Sequence, residues 1–390
     1  MIILGKVRKG LFCAAVLIFF SCSEQAVEPG AASRFVIEND QELLNSRLIV
    51  LDEELPLNKS GVSKSVMGNL TFKRRGIVAP PEIDGTPLHA SHVTLEDGIA
   101  YVSYHTRDNQ YQGAAEIINV RDVRKPFIKS QILFEDTDIT IASRYKTNVY
   151  LGQATNPDGN DGFNSPAALE VIHLNEDGDF SKSIQRIDLP SFNTNDILFL
   201  NDLAYITSGS SGGMLSIYDL ENEQLITQLE VNNAKAVKCT PDFVVAMAGT
   251  GERLHIFRHD NNELDRTVEL GCENFLESKA ELATLNDMVY ASAASCGLLA
   301  YDIAGDSLLK NIDLGDYATC NSVSVSKEYN VLLLARGADG LQVAVIDPTG
   351  LESVGVLDLQ GSTNFVAVEG NMMFVANGEG GLQIIEVTDL

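Results

Sequence analysis

The chain has 390 residues, with 28 Lys and Arg against 54 Asp and Glu, a formal net charge of −26 and no tryptophan. A balance this acidic argues against a nucleic-acid partner and otherwise suits a soluble, self-repelling surface. The length alone suggests two or three domains, but an internal repeat described below outweighs that prior.

The chain opens with MIILGKVRKGLFCAAVLIFFSC, a basic start (Lys6, Arg8, Lys9), an apolar run from Leu11 to Phe20, then Ser21 and Cys22. The run is shorter than the ~20 apolar residues a spanning helix needs, so residues 1–21 read as an export signal. A small residue directly before Cys22 resembles the lipobox of bacterial lipoproteins, with Phe19 where that motif usually carries Leu. The resemblance implies cleavage before Cys22 and lipidation of that residue. Cleavage removes three bases and no acid, leaving 25 bases against 54 acids, a charge of −29. Ser23 after the lipidated cysteine implies, by analogy with bacterial sorting, the outer membrane, with the protein periplasmic or surface-exposed. Residues 22–60, including SEQAVEPGAAS, read as a flexible tether.

Residues 61–390 form the folded domain. NLTFKRRGIV (69–78) is β-compatible, with SRLIVLDEEL (46–55) the alternative for the same role. From about residue 88 to 390 one pattern recurs: GIAYVS, TNVYLG, DLAYIT, DFVVAM, DMVYAS, NVLLLA and NMMFVA, centred on Tyr101, Tyr150, Tyr205, Val245, Tyr290, Leu333 and Phe374. Each is preceded by an apolar alternation such as SHVTL or NSVSVS. Each is followed by a third strand such as EIINV, ALEVIHL or LQVAVID, and in most units by a fourth such as FIKSQILF. Four short strands per unit of about 40 to 55 residues, with almost no helical periodicity, predict an all-β, seven-bladed β-propeller of four-stranded antiparallel blades. The last unit, ending in LQIIEV, lacks a fourth strand, so the amino-terminal run 69–78 is expected to pair there and close the ring. Lys and Arg of FKRR would then protect an outer edge.

GLQIIEVTDL, EIINVRDVRKP and GLQVAVIDPTGLESVG resemble the LVIVD repeat, a relative of the YVTN repeat in exported bacterial propellers. ALEVIHL and RLHIFRH depart from it by lacking the Asp. The resemblance implies a propeller and no single activity.

In a blade, the second-to-third loops and the blade-to-blade connections share one face. The long loops YHTRDNQYQGA (104–114) and GQATNPDGNDGFNSPA (152–167) lie there on adjacent blades, which makes that face the candidate binding surface. Tyr104, Arg107 and Tyr111 are candidate ligand contacts. Asp158, Asn160 and Asp161 add oxygen ligands that suit Ca2+, without the bidentate Glu of a helix-loop-helix site. No cofactor is otherwise predicted. First strands enter the channel on the same face through polar residues, among them His89, His92, Asp138, Asn195, Asp196, Lys235, Glu281, Asn321 and Asn364. His92, Asp196 and Glu281 are the candidate catalytic or metal-binding set, because imidazole and carboxylate serve either task. GSSGG (209–213) fits a nucleophile-elbow pattern but joins two strands, which argues against a hydrolase. In an exported chain a disulfide is permitted, and Cys272 with Cys296 is the expected pair, Cys239 staying free.

Taken together these features predict an envelope-tethered, monomeric binding or scaffold propeller for a protein or glycan partner. A propeller enzyme of lactonase or lyase type at the channel mouth, and a surface structural protein, are the alternatives.

Overall fold

The computed structural model describes residues 34–58, 70–107, 110–156, 163–251, 253–272, 279–309, 319–347 and 350–389. Seven antiparallel sheets of four or five strands stand in a ring: a seven-bladed β-propeller. In the first blade His89–Glu96, Ile99–His105, Gly113–Asn119 and Phe127–Phe134 follow one another from the channel outward. The other innermost strands are Thr137–Tyr145, Asn193–Leu200, Ala234–Cys239, Glu281–Leu285, Ser322–Ser326 and Phe365–Glu369. Each neighbours the next, and the last neighbours the first.

The burial pattern explains the ring. A strand sends alternate side chains to opposite faces, and here both faces are apolar. Ile99 and Tyr101 pack toward blade two, while Ala100, Val102 and Tyr104 pack toward blade seven. The core is therefore divided into seven clusters, each wedged between two adjacent blades. First and second strands join through tight turns whose residues have left-handed φ, such as Asp97–Gly98 and Asn201–Asp202. This is the turn handedness that two-residue hairpins need.

Inner-strand side chains also stitch one blade to the next. Thr140 Oγ1 donates to the Thr194 carbonyl (2.5 Å), Asn195 Nδ2 to Ala234 (2.6 Å), Asn321 Nδ2 to Thr363 (3.0 Å) and Asn364 Nδ2 to Ala90 (2.9 Å). At the joint between blades seven and one, Ala90 and Gly378 also exchange two backbone hydrogen bonds, at 3.0 and 3.1 Å.

Leu70–Val78 runs antiparallel to Leu382–Asp389 in blade seven, with Phe72 opposite Val387 and Val78 opposite Leu382. Leu48–Leu55 does not take that place but pairs on the far side of Leu70–Val78, as a fifth strand. FKRR therefore lies inside the sheet and protects no edge: Arg74 and Arg75 are buried. Arg75 Nε donates to Glu386 Oε2 at 2.6 Å, and its guanidinium also pairs with Asp52. Like charges stacked there are neutralised by the acidic strand LIVLDEEL beside them.

The expected tether 22–60 is likewise corrected from Arg34 onward. Phe35–Glu38 adds a fifth strand to blade one and Leu57–Asn58 a fifth to blade six. Between them the short helix Gln41–Asn45, capped by Asp40, lies against Phe127–Phe134. Apolar alternation in FVIE and LIVL finds partners in these outer strands. Arg47 reaches across the blade-one and blade-seven joint, donating to Ala79 O (2.5 Å) and Gln131 Oε1 (2.7 Å) and pairing with buried Glu116.

Candidate functional site at the channel mouth

Four inner strands carry an extra residue that slips the pairing register, at Ser91, Thr140, Asn195 and Lys235. A bulge re-aims a side chain out of the alternating pattern. All four of these residues line one cavity of about 300 Å³ at the mouth of the channel. With Glu281, Asn321 and Asn364 from the remaining blades, every blade contributes to its wall. Most of the lining residues are polar in type, and Phe365 is the one aromatic hydrocarbon ring among them.

His92 forms part of this wall and is only 7% exposed. Its ring lies against Phe365, with centroids 3.7 Å apart. Neither ring nitrogen has a hydrogen-bond partner among the described residues. Burial, and then the charges of Lys238 and Lys279, hold its pKa well below the ordinary imidazole value, so the ring is neutral. His105, which faces the same cavity, is lowered to about 4, chiefly by burial and next by Lys279.

Glu281, from blade five, is buried close to His92. Its Oε1 accepts from the Leu282 backbone N–H and from Lys238 Nζ, both at 2.9 Å. Burial raises its carboxyl to about 7; Lys238 opposes the rise and Asp196 adds to it. Asp196, from blade three, is off the cavity wall. Its Oδ2 accepts from Val237 N–H (2.9 Å) and from Lys238 Nζ (2.6 Å), and its Oδ1 accepts from Ile197 N–H (2.9 Å). Lys238, from the blade between them, thus bridges two buried carboxylates. Burial works against its charge, but the two acids outweigh that and raise its pKa.

The fold therefore gathers His92, Asp196 and Glu281: one ligand atom from each lies within 4.8 Å of the others. By residue type this set suits a divalent metal. However, both carboxylates are already engaged by the Lys238 ammonium. A metal there would have to displace it.

Asp138 also faces the cavity and accepts from the Gln112 N–H at 3.1 Å, which ties the first long loop to the mouth. Burial raises it to about 7. His89 lies 3.7 Å from Glu379.

No protein-family model matches the sequence, and no curated protein matches it. Among solved structures 1164 chains match. One is the crystal structure of the computationally designed Ika8 protein, 13% identical, with a TM-score of 0.52 over 86% of this chain and 98% of that chain. At that identity the likeness shows the fold alone.

The remaining candidates separate. Tyr104 is not a loop residue: it is fully buried in Ile99–His105, its hydroxyl donating to Glu116 Oε2 at 2.6 Å. It cannot stack on a ligand. Arg107 is exposed and Tyr111 half-buried. The Arg107 guanidinium lies beside Gly378, close to the mouth. Asp158, Asn160, Asp161 and Cys22 lie outside the described residues. Cys272 and Cys296 are joined as a disulfide, while Cys239 and Cys320 are free. Gly209–Gly213 spans a strand end and a hairpin turn, with no helix following.

Lys238, Lys279, His105 and the bulged Ser91 and Thr140 were not singled out from sequence. The signal for Lys238 was present: AKAVKC puts a lysine in an otherwise apolar inner strand.

Proposed function

We propose that the protein is a binding propeller of the bacterial cell envelope, lipid-anchored through Cys22 at the outer membrane and related to the LVIVD and YVTN repeat propellers. It engages a protein or glycan partner through the face that carries the channel mouth and the two long loops. The observation that carries this reading is the polar cavity of about 300 Å³ to which all seven blades contribute. A purely structural surface protein has no use for such a concavity, whereas ligand sites are concave with a few convergent polar groups. The test is a pull-down of the intact lipoprotein from its native envelope, compared with a form in which residues 152–167 are shortened. Loss of a partner in the shortened form supports the reading; identical captures count against it.

A second reading, a metal-assisted enzyme at the mouth, is favoured by one observation, the gathering of His92, Asp196 and Glu281. If it holds, Zn2+ raises the melting temperature of the intact chain and a chelator reverses the effect. If Lys238 is instead the resident counter-ion, Zn2+ leaves the intact chain unchanged and stabilises only Lys238→Met, in which the three ligands are freed.

A further inference from the structure

Around the joint between blades one and seven, Leu43, Ile49 and Phe127 are exposed, at 58%, 56% and 37%. Their neighbours hold them on one stretch of the rim. Leu44, Leu48, Val123 and Ile128 share a single apolar cluster beneath. The Ile128 N–H donates to Asn45 Oδ1 at 2.8 Å, and Asn45 Nδ2 donates back to the Ile128 carbonyl at 3.2 Å. A Cβ built on Gly76 would lie 3.4 Å from the Ile49 carbonyl oxygen and 3.8 Å from Pro126 Cγ. The short helix, the strand Leu48–Leu55 and the loop before Phe127 therefore meet here.

That loop is basic. NVRDVRKPF exposes Arg121, Arg124 and Lys125 and holds one acid, whereas the whole chain has 54 acids against 28 bases. Arg121 Nε donates to the Asp97 carbonyl at 3.0 Å, and none of the three bases is ion-paired among the described residues. Asp122 Oδ1 accepts the Arg124 N–H at 3.0 Å and so shapes the turn. Leu225 and Leu264, similarly exposed on the outer strands of blades three and four, have exposed Glu223 and Glu263 near them in sequence instead.

Unpaired bases beside exposed apolar side chains suit an anionic lipid surface, because the bases attract the headgroups while the apolar groups enter the boundary with the acyl chains. The anchor of the chain is within reach. Cys22 precedes Arg34 by twelve residues, at most ~40 Å of extended chain, and the segment from Arg34 leads onto this rim.

We propose that this rim docks the propeller on an anionic phospholipid surface, with Arg121, Arg124 and Lys125 at the headgroups and Leu43, Ile49 and Phe127 at the acyl boundary. Residues 120–126 join the third and fourth strands of blade one, at the end opposite the loop 104–114. Docked this way, the propeller turns its mouth away from the bilayer. The inference rests on the envelope reading, which supplies the membrane, but not on acylation of Cys22.

The absence of tryptophan supplies the probe. Residues 22–390 are held on vesicles by an amino-terminal hexahistidine and nickel-chelating lipid, which bypasses acylation and leaves the unit from Arg34 onward whole. The vesicles are of phosphatidylcholine and phosphatidylglycerol, brominated in their acyl chains. Fluorescence of Phe127→Trp should be quenched. That of Phe192→Trp, at a 54% exposed position beside the mouth-lining Asn193, should not. A base near such a surface contributes about fivefold, so adding Arg124→Gln and Lys125→Gln should lower the ratio of docked to undocked molecules roughly 25-fold. Both positions are exposed, so folding is not at stake. Equal quenching at the two tryptophan positions, or none in Phe127→Trp, overturns the proposal. If Phe127→Trp is shielded without lipid and the sedimenting mass doubles, a second copy covers the rim and the membrane assignment falls. Mass spectrometry of Cys22 in the native protein tests the anchor separately: an unmodified Cys22 removes the acyl anchor, while quenching in Phe127→Trp alone still establishes the docking rim.

Discussion

Glu281 shows how a single position couples the site to stability. Its carboxyl is raised from 4.5 to about 7, mainly by burial. An acid whose pKa is higher when folded holds its proton more tightly in the native state. Its contribution is therefore complete below about pH 4.5 and is lost as pH rises through about 7. Buried neutral His92 and His105 act in the opposite sense, since their contribution is present above about 6.5 and lost as pH falls. The wild-type profile mixes the two, but Glu281→Gln isolates the carboxyl. Measured by urea unfolding, the variant should gain on the order of 3 kcal/mol relative to wild type between pH 4.5 and 8. A difference that stays flat with pH would mean that Glu281 is ionised throughout. The same residues mark the limit of sequence reading. His92, Asp196 and Glu281 could be placed together because each lies in the first half of an inner strand. Lys238 escapes sequence reading because a lysine near the far end of an inner strand, Ala234–Cys239, is ordinarily assigned to the open channel, not to a bridge between two acids on the blades either side.

At the scale of the element, the strand Leu70–Val78 depends on a glycine. Gly381 has φ +66°, and a Cβ there would collide with the carbonyl of Val78 in the partner strand. Gly212 has nearly the same φ, +71°, with nothing within 4 Å of the would-be Cβ. Gly381→Ala should thus destabilise by about 2 kcal/mol or more beyond Gly212→Ala, which carries the backbone strain alone. Equal losses in chemical denaturation would show that Leu70–Val78 does not press on this turn. The tandem strands were legible because their alternation is strong and their pairing is local. What lay outside the repeat was less so. Phe35–Glu38 pairs with Phe127–Phe134, remote in sequence, and Leu48–Leu55 lies outside the repeat, so periodicity reveals neither pairing, and Arg74 and Arg75 looked like edge protection only because their acidic neighbour was not foreseen. Tyr104 was misjudged by register: Ile99–His105 runs on past the YVS motif and carries the tyrosine into the core.

For the molecule as a whole, each apolar cluster is shared by two blades, so no blade keeps its core if a neighbour leaves. The intact ring should unfold in one transition, with far-ultraviolet circular dichroism and the tyrosine near-ultraviolet signal coinciding. Deleting residues 70–78 strips the outer partner from Leu382–Asp389 and removes Phe72 and Val78 from the clusters on both sides of blade seven. The midpoint should fall and the two signals should part. Unchanged, coincident curves would mean that blade seven holds the ring without this strand.

The amino-terminal segment has a mechanical consequence. From Arg34 it crosses the outer edges of blades one, seven and six in turn. Arg34 itself is anchored by Asp136 at 3.0 Å and by buried Glu170 at 2.7 Å. Among the described residues, this ion-paired arginine is the first that a pull from the amino end would load. The pull would then load Phe35–Glu38 and Leu48–Leu55 along their lengths, so that many hydrogen bonds resist together. The load path runs over the joint between blades one and seven, and tension would draw the two sides of that joint together, as a strap tightens across a seam.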